Sequence, residues 1–153
     1  MIEIGDMAPS FSAPSDGGGT VTSDALRGKP VVLYFYPKDD TPGCTTEAKD
    51  FTSQMAAFQK AGATVIGVSP DTVAKHDKFK AKHDLSVTLA ADEDKAICEA
   101  YGVWVEKNMY GRKYMGVERS TFLIDSKGKV AGIWRKVKVK GHVEAVLEAV
   151  QSL

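Results

Sequence analysis

Cysteine is scarce in this chain: Cys44 and Cys98 are the only two among 153 residues. Two are too few for a disulfide framework, and their separation fits no zinc pattern. No Cys-x-x-Cys pair exists, because Glu47 stands three residues after Cys44, and this disfavours a dithiol oxidoreductase. Neither sign of charge is in excess. Twenty basic and 20 acidic side chains give a formal net charge of zero, which argues against binding to nucleic acid or to an anionic membrane surface. No apolar run approaches the length of a membrane span. The opening residues, Met1-Ile2-Glu3-Ile4-Gly5-Asp6, show neither a basic nor an apolar leader region, so no signal peptide is expected. His76, His83 and His142 stand apart in solvated or capping contexts, and no His/Asp/Glu spacing suggests a metal or cofactor site. A glycine-rich phosphate loop and a Ser-His-Asp order are also missing. A cytoplasmic protein is expected, in a compartment that keeps a lone thiol reduced and available.

What remains is an ordinary globular composition, 43% apolar and 26% charged, on a length that suits one domain spanning 1–153. A proline-punctuated arm, the turn Asp16-Gly17-Gly18-Gly19-Thr20 and the run Thr20-Val21-Thr22 predict an N-terminal β-hairpin, followed by one capped helical turn at 23–28. The non-alternating run 31–36 reads as a central strand buried on both faces. One helix is expected over 42–61, with Phe51, Met55 and Phe58 as its apolar stripe and Gly62 as its stop. A second strand at 64–69 follows, then a helix over 72–82 capped by Asp71 or Ser69. A short strand at 87–89 and a short helix from Asp92 to Tyr101 come next, and Asp39-Asp40 is read as solvated loop. Residues 102–118 read as a long functional loop. Residues 120–134 form the clearest hairpin, 135–140 an edge strand guarded by lysines, and an amphipathic helix begins near His142. The fold class is α/β, a central mixed sheet flanked by helices.

The chemistry concentrates where the first central strand runs into its helix, at Tyr36-Pro37-Lys38-Asp39-Asp40-Thr41-Pro42-Gly43-Cys44-Thr45-Thr46-Glu47. A cysteine in the first turn of a helix meets unpaired N–H groups and the positive end of the dipole, and both favour thiolate over thiol. Free cysteine is often a buried small hydrophobe, but this one lies in a polar junction.

Pro37-x-x-x-Thr41-x-x-Cys44 resembles the active-site motif of the peroxiredoxins. The wider run from Phe35 to Glu47 is similar to the peroxiredoxin Q, or bacterioferritin-comigratory-protein, subfamily. Gly67-Val68-Ser69, Asn108-Met109-Tyr110-Gly111 and Gly116 to Asp125 extend the resemblance over nearly the whole chain. It implies a thioredoxin-like fold and a thiol-dependent peroxidase of hydrogen peroxide and organic hydroperoxides, serving antioxidant defence and expected as a monomer. Cys44 would be the peroxidatic nucleophile, oxidised to a sulfenic acid. Thr41 would hold the peroxide, Pro37 would shield the thiolate, and Arg119 would be the active-site cation. Glu47 could orient Arg119.

The chain departs from that subfamily in how the sulfenic acid is resolved. Many members carry a second cysteine five residues on, or in the next helix. Here those positions hold Lys49 and Lys80. Cys98 matches neither, and is read as structural with a resolving role after local unfolding left open. The resemblance therefore implies a one-cysteine mechanism with an external thiol reductant, whether thioredoxin, glutaredoxin or glutathione.

Overall fold

The computed structural model describes residues 1–153. A hairpin of β1 (Ser12–Pro14) and β2 (Thr20–Thr22) turns over a 3-10 segment at Asp16–Gly18. Helical turn α1 (Ser23–Leu26) follows, capped by the Thr22 hydroxyl, which accepts from the Ala25 N–H. Then come β3 (Val31–Phe35), α2 (Pro42–Ser53), α3 (Met55–Lys60), β4 (Thr64–Ser69), α4 (Val73–His83), β5 (Thr88–Ala91) and α5 (Ala96–Ala100). A hairpin of β6 (Trp104–Met109) and β7 (Arg112–Val117) leads into β8 (Ser120–Ile124), β9 (Val130–Trp134) and α6 (His142–Gln151).

Five strands make the central sheet in the order β5-β4-β3-β8-β9. The first three are parallel, and β8 and β9 run antiparallel to their neighbours. This is the thioredoxin-like mixed sheet. All five residues of β3 and of β8 are buried, as a strand covered by helices on both faces requires. Alternation along β3 divides the core in two. Leu33 and Phe35 face a cluster with Phe11, Tyr101, Phe122 and Cys98. Val32, Tyr34 and Tyr36 face one with Phe51, Phe58, Val146 and Cys44. The two cysteines therefore lie on opposite sides of the sheet.

The register sets up the site. Phe35 pairs with Ser120 across the antiparallel edge and with Val68 across the parallel one. The loop after β3, residue Arg119 just before β8 and the segment after β4 thus converge at one end of the sheet, where open α/β sheets place their ligands.

Four expectations need correction. The helix of 42–61 is two helices, broken at Gln54 (φ −103°, ψ 8°). The Ser53 hydroxyl donates to the Asp50 carbonyl and competes for the last turn, and Met55 is only half-buried while Phe51 and Phe58 are buried. The helix at 73–83 is capped by Thr72, whose hydroxyl accepts from the Lys75 N–H. The "loop" 102–118 is largely the β6–β7 hairpin, turned by Tyr110 (φ 53°) and Gly111 (φ 78°). Left-handed conformation at both turn residues is what a two-residue hairpin needs, and a tyrosine there hides the signal. Residues 135–140 are not a strand, since Lys136 adopts φ 48°. The expected alternation survives as burial: Val137 and Val139 are half-buried and Lys136, Lys138 and Lys140 exposed.

Candidate active site

Thr41 is the N-cap residue of α2, and Pro42 takes the first helical position, where its missing N–H costs nothing. The Thr41 hydroxyl does not cap the helix; it donates to the Lys38 carbonyl at 2.8 Å. The N–H groups of Gly43 and Cys44 make no hydrogen bond within the protein. Two donors at the positive end of a helix thus point outward beside the Cys44 sulfur. Cys44 itself is 2% exposed, and Pro37 on the preceding loop is half-buried.

Arg119 reaches this point from the start of β8. Its Nη2 donates to Cys44 Sγ at 3.2 Å and its Nη1 to Glu47 Oε1 at 2.6 Å. Burial opposes its charge, but Glu47 and Cys44 outweigh that, so the guanidinium holds its proton more tightly than usual. The Val137 N–H donates to the Arg119 carbonyl at 3.0 Å, so the segment after β9 fixes the arginine's backbone. Gly43 gives the guanidinium room, since a Cβ there would stand 3.2 Å from Arg119 Nη2. Cys44, Thr41, Arg119, Pro37 and Glu47 are therefore brought together around one end of the sheet.

Glu47 is fully buried. Its Oε2 has no hydrogen-bond partner, and His142 Nε2 lies 4.0 Å away. Burial raises its carboxyl from 4.5 to about 7, although Arg119 pulls the other way. The folded protein binds this proton more tightly than the unfolded chain, so the stability it contributes is full below pH 4.5 and is lost as pH rises to about 7. The loss is on the order of 3 kcal/mol. Glu47→Gln cannot titrate. Its stability relative to the parent should rise by that order between about pH 5 and about pH 8 in denaturant unfolding. Parallel stability curves for the two proteins would refute the assignment.

Sequence reasoning missed several neighbours. His142 is not solvated: it is buried, with Nε2 2.7 Å from the Thr121 hydroxyl. Burial, and then Arg119, hold it neutral down to about 4. Asp39 is not a solvated loop residue either. It accepts from the Tyr36 hydroxyl at 2.5 Å and from His76 Nδ1 at 2.6 Å, and its own N–H donates to Asp71. His76 Nε2 faces the Ala90 carbonyl at 3.0 Å. With an acceptor at each ring nitrogen, the buried imidazole carries both protons and a charge; burial opposes this, but Asp39 and Ala90 prevail. This ion pair fastens the loop before Cys44 to α4. Of the three histidines only His83 stays near the surface, bonded to Asp40. Behind the sulfur, Tyr34 stacks on Phe51 at 4.5 Å and packs over Gly67, where a Cβ would lie 2.6 Å from its ring. Lys107 of β6 also feels the site, its proton loosened by burial and then by Arg119. Apart from the local Tyr36–Asp39 bond, these hydrogen-bonded pairings join residues 14 or more positions apart, which leaves no sequence signature.

Cys98 lies elsewhere. It is fully buried against the far face of the sheet, and its N–H donates to Asp92 Oδ2 at 2.8 Å. Burial, and then Asp92, push its thiol far above the ordinary range. Lys49 is exposed, while Lys80 pairs with Asp16 at 2.7 Å. No group of three or more His, Cys, Asp or Glu side chains is arranged to hold a metal ion, and no helix is long and apolar enough to cross a membrane.

Residues 4–133 match the AhpC/TSA family. The chain is 50% identical over 152 residues to peroxiredoxin Bcp of Bacillus subtilis, covering 99% of this chain and 97% of that one. It is 41% identical over 146 residues to peroxiredoxin Bcp of Escherichia coli, covering 95% and 94%. The bacterioferritin comigratory protein of Xanthomonas campestris, studied for alkyl peroxide reduction, superposes with a TM-score of 0.91 at 46% identity, covering 99% of this chain and 97% of its own. Solved variants of the X. campestris peroxiredoxin Q replace either of two cysteines by serine; counted from Cys44, their spacing ends on Lys80. From its Pro37–Cys44 loop to its sheet order, the chain belongs to the AhpC/TSA family of peroxiredoxins, in the peroxiredoxin Q/Bcp branch.

Proposed function

We propose that the protein is a thiol peroxidase in which Cys44 is the nucleophile and the only catalytic cysteine. The thiolate attacks one peroxide oxygen, the O–O bond breaks, and hydroxide or alkoxide leaves with the electron pair, so that Cys44 becomes a sulfenic acid. Thr41 holds the peroxide with its hydroxyl, while Pro37 and the burial of the sulfur limit access by water. Arg119 supplies a fixed positive charge beside the sulfur and a donor to the peroxide, and the free N–H groups of Gly43 and Cys44 meet charge developing on the attacked oxygens. Glu47 orients Arg119. We take hydrogen peroxide and organic hydroperoxides as the substrates and a reducing cytoplasm as the setting, with residues 1–153 acting as one unit and as a monomer.

The observation that carries the one-cysteine reading is the position of Cys98 across the sheet from Cys44. A disulfide needs Cα atoms within about 7 Å, and the β-strand layer stands between these two. The sulfenic acid is then resolved by an external thiol such as thioredoxin, glutaredoxin or glutathione. Peptide mass spectrometry after one equivalent of peroxide checks this. Oxidised Cys44 with Cys98 still a thiol is expected, and a Cys44–Cys98 disulfide would reject it.

A further inference from the structure

We propose that the groove between the loop before Cys44 and helix α4 binds a small thiol bearing carboxylates, and that this is how the reductant gains access to the oxidised sulfur. The proposal rests on the one-cysteine reading above. The groove has a volume of about 450 Å³, within the range of pockets that hold small molecules. Lys38 lines it from the loop, and Lys75, Lys78 and Lys82 line it from α4, with Phe79 as the one apolar contributor. Two of its three carboxylates, Asp39 and Asp40, are paired with cations, and Asp71 is held by neutral donors. Asp39 is held by Tyr36 and His76, Asp71 accepts from Ser69 and from the Asp39 N–H, and Asp40 takes Lys82 and His83. Lys38, Lys75 and Lys78 form no ion pair. Three uncommitted ammonium groups thus share one concave site on a chain whose overall charge is balanced. Such a site attracts anions and speeds their arrival.

Its placement gives the charge a purpose. The Lys38 carbonyl accepts the Thr41 hydroxyl, so one wall of the groove is the loop that carries Thr41 and leads to Cys44. The sulfur is almost covered and does not itself line the groove, so a reductant needs a foothold on the loop that joins the two. Held there, the reductant's thiolate attacks the sulfenic sulfur. An S–S bond forms, the S–O bond breaks, and hydroxide leaves and takes up a proton as water. A second thiol then attacks the mixed disulfide, releasing the Cys44 thiolate and the oxidised small disulfide.

The test uses full-length protein and the double variant Lys75→Glu/Lys78→Glu, both positions being exposed. Each protein is oxidised with one equivalent of peroxide, and re-reduction is followed by stopped flow with glutathione, with neutral 2-mercaptoethanol and with thioredoxin. Reduction by glutathione should slow by roughly 10-fold, and added salt, which slows it in the parent, should no longer slow it. Oxidation by peroxide and reduction by 2-mercaptoethanol should keep their rates. An unchanged glutathione rate, an equal slowing with both small thiols, or a loss confined to thioredoxin would each overturn the proposal. Mass spectra of the same oxidised samples separate its failure from that of the one-cysteine reading, which alone forbids a Cys44–Cys98 disulfide.

Discussion

Cys44→Ser is expected to lose thiol-dependent peroxide consumption by a factor on the order of 10⁴ or more. A hydroxyl in the same place accepts from Arg119 much as the sulfur does, at nearly the same volume, so the fold should hold. The chemistry should not. A serine hydroxyl keeps its proton near neutrality and attacks an O–O bond poorly, whereas a thiolate is both soft and available. Measured peroxide loss in excess thiol should fall to the uncatalysed background. Sustained turnover above that background would remove Cys44 from the mechanism altogether. The matched control, Cys98→Ser, should turn over at close to the parent rate, because that sulfur lies behind the sheet.

The second large effect belongs to Arg119. Arg119→Met removes both the donor to Sγ at 3.2 Å and the fixed charge beside the peroxide. Loss of one well-placed donor of this kind typically costs 10²- to 10³-fold, and kcat/KM for peroxide should fall by about that much. Breaking a buried ion pair by deleting one partner often costs about 3–5 kcal/mol of stability. Here the cost should be smaller near neutrality. Burial already raises Glu47 to about 7 with the arginine present, so without it the carboxyl keeps its proton and no bare charge is stranded. The expected signature is a slow but folded enzyme, read by steady-state kinetics alongside denaturant unfolding. Activity within about threefold of the parent would contradict the role. Arg119→Lys should recover only part of the loss, since an ammonium cannot span Sγ and Oε1 as the planar fork does.

Much of this is legible in the sequence itself, for reasons local to the chain. An apolar run without alternation marks β3 as a central strand, and the proline–glycine junction after it marks a helix start with Cys44 in its first turn. The 120–134 hairpin announces itself by β-branched and aromatic residues around Ser126-Lys127-Gly128. Arg119 beside Cys44 was reachable only through family resemblance, because β3–β8 pairing, not sequence proximity, brings them together. The β6–β7 hairpin was hidden by a tyrosine in a turn position that favours asparagine or glycine, and by strands too exposed to show a buried face. The buried Asp39–His76 pair and the burial of His142 were hidden for another reason. A histidine's surroundings are set by long-range packing, and isolated in sequence it reads as a surface residue. The break at Gln54 leaves no mark in residue periodicity, which runs through it from Phe51 to Phe58.

The sheet between the two sulfurs has a kinetic consequence. An enzyme whose second thiol is tethered to the first closes its cycle at a rate it sets itself. This one cannot. Formation and decay of its oxidised state are both bimolecular, so the fraction of molecules waiting as sulfenic acid follows the ratio of peroxide arriving to thiol on hand. When thiol runs short, that fraction grows, and each waiting sulfur is open to a second peroxide and to the irreversible sulfinic form. On that mechanism, the placement of Cys98 in the opposite core makes catalytic lifetime a function of the surrounding thiol pool.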